Sequence, residues 1–528
     1  MAALLLPLAL VTTCQVVTGA DSQGPTASGP KVVWTWTEDP SPGDEYPFAI
    51  TRDGSGGALV AGRSFPYADT KWHLVHLTKA GTSDWNWSRN YGVGVDEVRG
   101  LVRQPGSNSI ILAGHIQVDN PPLGDFAWHV ESLSASGVEL WNWTNNPGSV
   151  NDYVAGVGVN SAGNIIIGGD IQENGTWTTK MRAVKLSPTG TVKWTWTADL
   201  GSLNTHTRAV AVDRFGMTYL VGSQFEQGNG SRAWRVVKLS EAGTEIWNRT
   251  WDFGGGEDEA FAIAVAENDS IIVAGTDSNE GLADAAWRVL KFSPEGTRLW
   301  GWSINPSPWM DAPFGVVSRP GGDFVVAGGE GRPGATNHEW MALRVDLTGG
   351  IDWEWTDDPS PGVDGILALD STTGTDLVVA GVDSLPGKME WRVVKLEEPS
   401  PPPPITRCTI TAAPQMGQAP LTVVFGARIE GGTPSLVYSW EFGDGGTSNE
   451  SAPRHTYTSE GTYKVILAVQ DSAWSSANAS ATIEVSALSQ PNPKPIPGFE
   501  LPLLLASVFM AFMAVRACRL RPAGRGPS

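Results

Sequence analysis

The sequence predicts an all-β protein whose main body is a seven-bladed β-propeller, and three observations carry that prediction. An apolar strand ending in glycine recurs at Gly62, Gly114, Gly169, Gly222, Gly275, Gly328 and Gly381, at a spacing of about 53 residues. Each copy reads as four short strands rich in β-branched and aromatic residues. In one copy these are Phe261-Ala-Ile-Ala-Val265, Ser270-Ile-Ile-Val-Ala-Gly275, Trp287-Arg-Val-Leu-Lys-Phe292 and Arg298-Leu-Trp-Gly-Trp302, with turn residues between them. Four antiparallel strands at this period form a blade, because radial stacking buries both faces of every sheet and leaves no long edge open. The third observation is a strand count. Strands of the Trp-x-Trp type occur at Trp34, Trp85, Trp141, Trp194, Trp247, Trp300 and Trp353, so one precedes the first copy and none follows Trp391-Arg-Val-Val-Lys-Leu396. The N-terminal strand is then the missing fourth strand of the last blade, and the ring closes.

The chain opens with an apolar run, Ala2 to Val11, followed by Thr18-Gly19-Ala20. This is the pattern of a secretory signal at residues 1–20, although no Lys or Arg precedes it. A second reading makes Val11-Thr12-Thr13-Cys14 a lipoprotein box, against which stands Thr13 where Ala or Gly is expected. Of the three cysteines only Cys408 and Cys518 lie beyond residue 20, too few for a disulfide framework, so burial must hold the core. Of 24 Trp, 22 lie between Trp34 and Trp391, and such rigid apolar bodies suit packing between sheets. The net charge of −20 argues against nucleic acid and anionic lipid as partners and favours cations, metals or neutral polyols. Sequons at Asn86, Asn142, Asn174, Asn229, Asn248, Asn268, Asn449 and Asn478 are candidate glycosylation sites. Asn86, Asn142 and Asn248 share one repeat position, so a structural preference for Asn beside Trp also accounts for them.

Within the repeats, Trp251-Asp-Phe-Gly-Gly-Gly256, then Asp258-Glu-Ala-Phe-Ala-Ile-Ala-Val265, then Ile272-Val-Ala-Gly275, resembles the SBBP family of seven-bladed β-propeller repeats. The likeness spans residues 32–398. It implies a secreted or surface protein and brings no shared catalytic residue with it. Residues 399–404 are a stiff Pro-rich linker. Residues 405–487 form a second all-β module with strands at Leu421-Thr-Val-Val-Phe425, Leu436-Val-Tyr-Ser-Trp440 and Thr462-Tyr-Lys-Val-Ile-Leu-Ala-Val469. Its Tyr438-Ser-Trp-Glu-Phe-Gly-Asp-Gly445, with His455-Thr-Tyr457 and Gly461-Thr-Tyr463, resembles a PKD domain, which implies an Ig-like β-sandwich of the extracellular kind. A second Pro-rich linker, 488–498, leads to Pro497-Gly498-Phe499, an apolar segment at 499–515 and a basic tail at 516–528 with Arg516, Arg519, Arg521 and Arg525. This order reads as a membrane-anchor helix with its Arg cluster in the cytoplasm. It also resembles archaeal PGF-type sorting signals, which implies cleavage and replacement of the tail by a lipid; both anchors stay open.

Candidate chemistry begins with the residues seventeen positions before each marker glycine: Glu45, Glu97, Asp152, Thr205, Asp258, Asp311 and Asp364. Such a ring of carboxylates at a channel mouth would suit a hard cation such as Ca²⁺, with Asp258, Asp311 and Asp364 as neighbours from consecutive blades. The structural reading is stronger, since a residue repeated in nearly every blade suits local bonding to backbone N–H groups. At most a weak Ca²⁺ and no other cofactor is expected. Departures from symmetry point to binding instead: His206 where the fourth copy loses its acid, Trp309 in a Pro-rich connection, and Trp177 in a polar loop. The connections into the first strand and after each marker glycine are long and emerge on one face. No Gly-x-Ser-x-Gly, His-Glu-x-x-His or phosphate-binding loop is present, and no catalytic residue is assigned. The sequence therefore predicts a non-enzymatic, cell-surface recognition or structural protein with a monomeric ectodomain, binding an extracellular glycan or protein and anchored at its C-terminus. The alternative is an extracellular polysaccharide hydrolase or lyase using the blade carboxylates, weakened by a ring that offers no unequal acid and base pair.

Overall fold

The computed structural model describes residues 29–488 apart from 40–42, 65–69, 93, 119–124, 147–151, 173–177, 199–203, 226–230, 255, 279–284, 307–310, 320–321, 332–337, 347–348, 361, 363, 372–375, 386–387, 400–403, 433–435 and 472–474. Every regular element among them is a strand, and the chain divides into two compact units, one up to residue 400 and one beyond it. No helix among the described residues is long and apolar enough to cross a membrane. The expected signal segment at 1–20, the expected anchor helix at 499–515 and the basic tail at 516–528 lie outside the described residues.

The first unit holds seven four-stranded antiparallel sheets among its described residues. Their first strands are Tyr46–Arg52, Glu97–Arg103, Tyr153–Val159, Thr205–Val212, Glu259–Val265, Ala312–Ser318 and Gly365–Ser371. Each packs against the next in chain order, and the last returns to the first, so the arrangement is a propeller-like ring. Six sheets are built from four consecutive strands. The seventh has the order Lys31–Glu38, Lys388–Glu397, Asp376–Leu385, Gly365–Ser371, with Trp34 opposite Lys395 and Trp36 opposite Val393. The N-terminal strand thus lies on the last hairpin.

A bulge recurs in all seven first strands, and it accounts for the marker glycines. In the second sheet Val98 pairs with Gly114 and Gly100 with Ala113, so Arg99 is left over. The bulge drives the Glu97 carbonyl onto the glycine: a Cβ on Gly114 would stand 2.0 Å from that oxygen and 2.7 Å from Cζ2 of Trp72 in the preceding sheet. Gly62 is in the same position against the Tyr46 carbonyl at 1.9 Å and Trp391 at 2.7 Å. Only a residue without a Cβ fits there.

The third strands carry the cores between sheets. Trp72, Trp128, Trp234, Trp287, Trp340 and Trp391 are fully buried at equivalent places, and Met181 takes the seventh. Burial of such a side chain removes a large apolar area from water, and truncation to Ala costs about 3–5 kcal/mol. Three of them also use their polar edges: Trp128, Trp234 and Trp340 donate Nε1–H to the carbonyls of Asp170, Thr276 and Val382 in the next sheet. The Trp-x-Trp strands repeat this at the rim, where Trp34, Trp194 and Trp247 donate to Lys79, Glu241 and Pro294.

The second unit is two sheets over one core. Arg407–Ala413, Leu421–Glu430 and Arg454–Tyr457 form one; Met416–Gln418, Ser476–Ser486, Gly461–Gln470, Val437–Glu441 and Thr447–Ser448 form the other. Trp440, Phe442, Phe425, Tyr457, Val465 and Ile483 fill the space between. Tyr457 donates its hydroxyl to the Phe442 carbonyl at 3.0 Å, so its buried polar tip is satisfied.

Candidate functional site at the centre of the ring

The acids that precede the first strands bond to backbone donors of the connection leading in and of the residues at the end of the second strand. Asp258 accepts from Phe253 N–H at 2.8 Å and Ser278 N–H at 3.0 Å. Asp364 accepts from Ser360 N–H at 3.1 Å and Ser384 N–H at 2.7 Å, and also from the Ser360 hydroxyl. Asp152 accepts from Gln172 N–H, while Thr205, at the start of the fourth sheet, uses its hydroxyl oxygen to accept from Met181 N–H of the preceding sheet. In the second sheet the residue that does this is Asp96, which accepts from Tyr91 and Gln117 N–H, both at 3.0 Å. Glu97 therefore leaves the set. Turn 104–109 is one residue longer than its counterpart 160–164, so counting back seventeen from Gly114 stops one place short of Asp96. Burial pushes Asp364 up to about 6 and raises Asp258, against the hydrogen bonds that favour the charged form. Among the described residues no three His, Cys, Asp or Glu side chains converge as a metal site, so Asp258, Asp311 and Asp364 are not brought together as ligands.

The residues that do meet at the axis are the bulged ones: Phe48, Arg99, Ala155, Arg208, Phe261, Phe314 and Leu367. A bulge turns one side chain out of the alternation that feeds the cores between sheets. The next residue in every strand is Ala or Gly. First strands run so close that a Cβ on Gly100 would lie 2.7 Å from Val157 Cγ1 in the next sheet. Arg99 sits 3.8 Å over the Phe48 ring in the preceding sheet, and Phe261 meets Phe314 edge-on at 5.3 Å. Arg99 also feels the charge of Arg208, two sheets away.

Around them runs a charged network. Glu97 takes Arg63 of the first sheet and, from its own strand, Arg99, whose Nε donates at 2.8 Å; His115 lies 3.5 Å from the same carboxylate. Glu259 is held by Arg208 in a bidentate pair at 2.8 and 3.1 Å and by the Ser223 hydroxyl at 3.0 Å. Asp170 accepts from Thr207 N–H at 2.7 Å and lies 3.3 Å from His206 Nδ1. Burial, then the neighbouring Arg99 and Arg63, hold His115 well below the ordinary imidazole range, so it is neutral. Burial with Arg208 nearby lowers Arg99 to about 10. Its side chain is nonetheless 37% open.

Of the binding candidates read from the sequence, His206 stands beside this network and Trp177 and Trp309 lie outside the described residues. The longer connections expected to form the binding face fall largely outside the described residues too. Asn86, Asn142, Asn268, Asn449 and Asn478 are exposed sequons; Asn248 is half-buried and donates to Glu245; Asn174 and Asn229 are outside the described residues. The axial set itself had a signal in the sequence. One variable residue precedes a small residue and then an aliphatic one, as in Phe48-Ala-Ile50, Arg99-Gly-Leu101, Arg208-Ala-Val210 and Phe314-Gly-Val316.

Residues 408–485 match the PKD domain family model. Over 49 residues the chain is 51% identical to a microbial collagenase of Vibrio alginolyticus, 9% of this chain and 6% of that protein. Over 64 residues it is 42% identical to collagenase ColQ1 of Bacillus cereus (strain Q1), 11% of this chain and 7% of that one. The chain thus spans less than a tenth of the curated relatives it matches. Among solved structures it is similar to Chaetomium thermophilum Sqt1 bound to the N-terminus of ribosomal protein L10, with TM-score 0.41, 12% identity and coverage of 68% of this chain and 98% of that one. Another is the polysaccharide lyase Uly1, with TM-score 0.43, 8% identity and coverage of 66% and 90%.

Proposed function

We propose that this protein is an extracellular recognition protein without enzymatic activity: a seven-bladed β-propeller of the SBBP repeat type, followed by a PKD domain and held at the membrane by its C-terminal segment. It binds a glycan or a protein on the face where the long connections emerge. The observation that carries this reading is the unequal composition of the axial ring, since a repeat kept for architecture alone gives no reason for seven equivalent places to differ this widely. Two are arginines, one is alanine and four are large and apolar. The repeated acids support it from the other side, because Asp96, Asp152, Asp258 and Asp364 are taken up by backbone donors. An acid and base pair needs carboxylates left to the substrate.

The test is a binding screen of residues 21–487 against extracellular glycans and surface proteins, with release of reducing ends assayed in the same samples. Saturable binding without turnover is expected. Turnover of a bound polysaccharide would overturn the reading in favour of a hydrolase or lyase.

A further inference from the structure

The seven axial residues fall into two arcs. Arg99, Ala155 and Arg208 are consecutive around the ring, so a small side chain stands between two guanidiniums and leaves a notch there. Phe261, Phe314, Leu367 and Phe48 fill the other four places. None of these four belongs to a core between sheets, and Phe314 is 38% exposed. Large apolar side chains grouped at a mouth and unused by any core are surface kept for something else.

Each arginine spends one edge on a carboxylate and keeps the other. Arg99 gives Nε and Nη2 to Glu97, and Arg208 gives Nε and Nη2 to Glu259. Nη1 of both has no hydrogen-bond partner among the described residues, and the side chains are 37% and 43% open. Glu97 is shared with Arg63, so the guanidiniums of Arg63, Arg99 and Arg208 are ion-paired to the two carboxylates of Glu97 and Glu259. Asp170 also lies near Arg208, with its oxygens engaged by Thr207 N–H and His206. The two pairs fix the guanidiniums in place, so little side-chain entropy is lost when an anion joins them.

We propose that the mouth of the ring is a socket for a carboxylate carried on an apolar body, the chemistry of the C-terminal residue of a peptide ending in Leu or Phe. The carboxylate sits in the notch over Ala155, accepting from Nη1 of Arg99 and Arg208, and the apolar side chain lies on Phe261, Phe314, Leu367 and Phe48. An acidic sugar fits less well, because its ring hydroxyls would face four side chains that offer no hydrogen bond. This inference rests on the recognition reading above and names its ligand.

The experiment is calorimetric titration of the full chain with N-acetyl-leucine, its amide, octanoate and glucuronate. N-acetyl-leucine is expected to bind at least tenfold more tightly than the amide, which lacks the charge, and than glucuronate, which lacks the apolar face, and no more weakly than octanoate. Arg208→Met should weaken it roughly tenfold or more. Ala155→Leu should abolish binding by filling the notch, in a protein whose melting temperature stays within a few degrees of wild type. Phe314→Ser should weaken N-acetyl-leucine more than acetate. Equal affinity for the amide overturns the carboxylate, equal or tighter glucuronate overturns the apolar body, and tighter octanoate assigns the socket to free acids and overturns the peptide. If the screen finds a ligand whose binding survives both Arg208→Met and Ala155→Leu, the socket falls and the recognition reading stands; turnover removes the reading itself.

Discussion

Gly114 and Asp364 show how much one residue decides here. Replacing Gly114 with Ala sets a Cβ against the Glu97 carbonyl and Trp72, neither of which can retreat without opening the sheet. A loss of about 3 kcal/mol or more is expected in chemical denaturation, above the range of ordinary surface changes. Asp364 gives a pH signature. Its carboxyl is raised from 3.8 to about 6 by burial, so between those values the folded state keeps a proton that the unfolded state has lost. Its contribution is therefore full below about pH 4 and lost as pH rises through about 6. Melting curves of wild type should fall relative to Asp364→Asn across that window and run parallel above it; a constant difference would contradict the assignment. The glycines were legible as markers, but their reason was not. It lies in a carbonyl of the adjacent strand and an indole of the neighbouring sheet, contacts that no local pattern records.

At the scale of the strand, alternation and period sufficed to place four strands per copy and to pair the first strand with the last hairpin. They did not reveal the bulges, because a bulge is a mismatch between two strands and each strand alone reads as regular. This is why Arg99, Arg208 and Phe314 do not stand out in the sequence while His206 does; Glu97 joins the structural acids for a different reason, the extra residue in turn 104–109. Deleting residues 31–37 tests the closing strand. The edge Lys388–Glu397 would lose its partner, and the indole of Trp34 its bond to the next sheet. The melting temperature should drop by roughly ten degrees or more. An unchanged melt would mean that the ring does not depend on that pairing.

For the whole molecule, two units with separate cores predict two calorimetric transitions. A chain ending after residue 400 should lose the PKD transition and keep the other within a few degrees. Ending it before Glu398 should not be harmless, since Glu398 lies between Arg319 and Arg344, and buried Arg319 would be left without that partner. A single transition lost as a whole would show the units to be coupled. The closing strand also sets a timetable. Lys31–Glu38 leaves the ribosome before any other described strand, yet its mate Lys388–Glu397 is the last of the first unit to be made. Through that interval Val32 and Val33 wait on an unpaired edge, and the loop to be closed is nearly the whole unit. A neighbouring chain at the same stage offers the same vacancy. Refolding at high concentration should therefore yield dimers that have traded N-terminal strands, and dilution should yield monomers, so the local concentration of nascent chains decides which ring each strand completes.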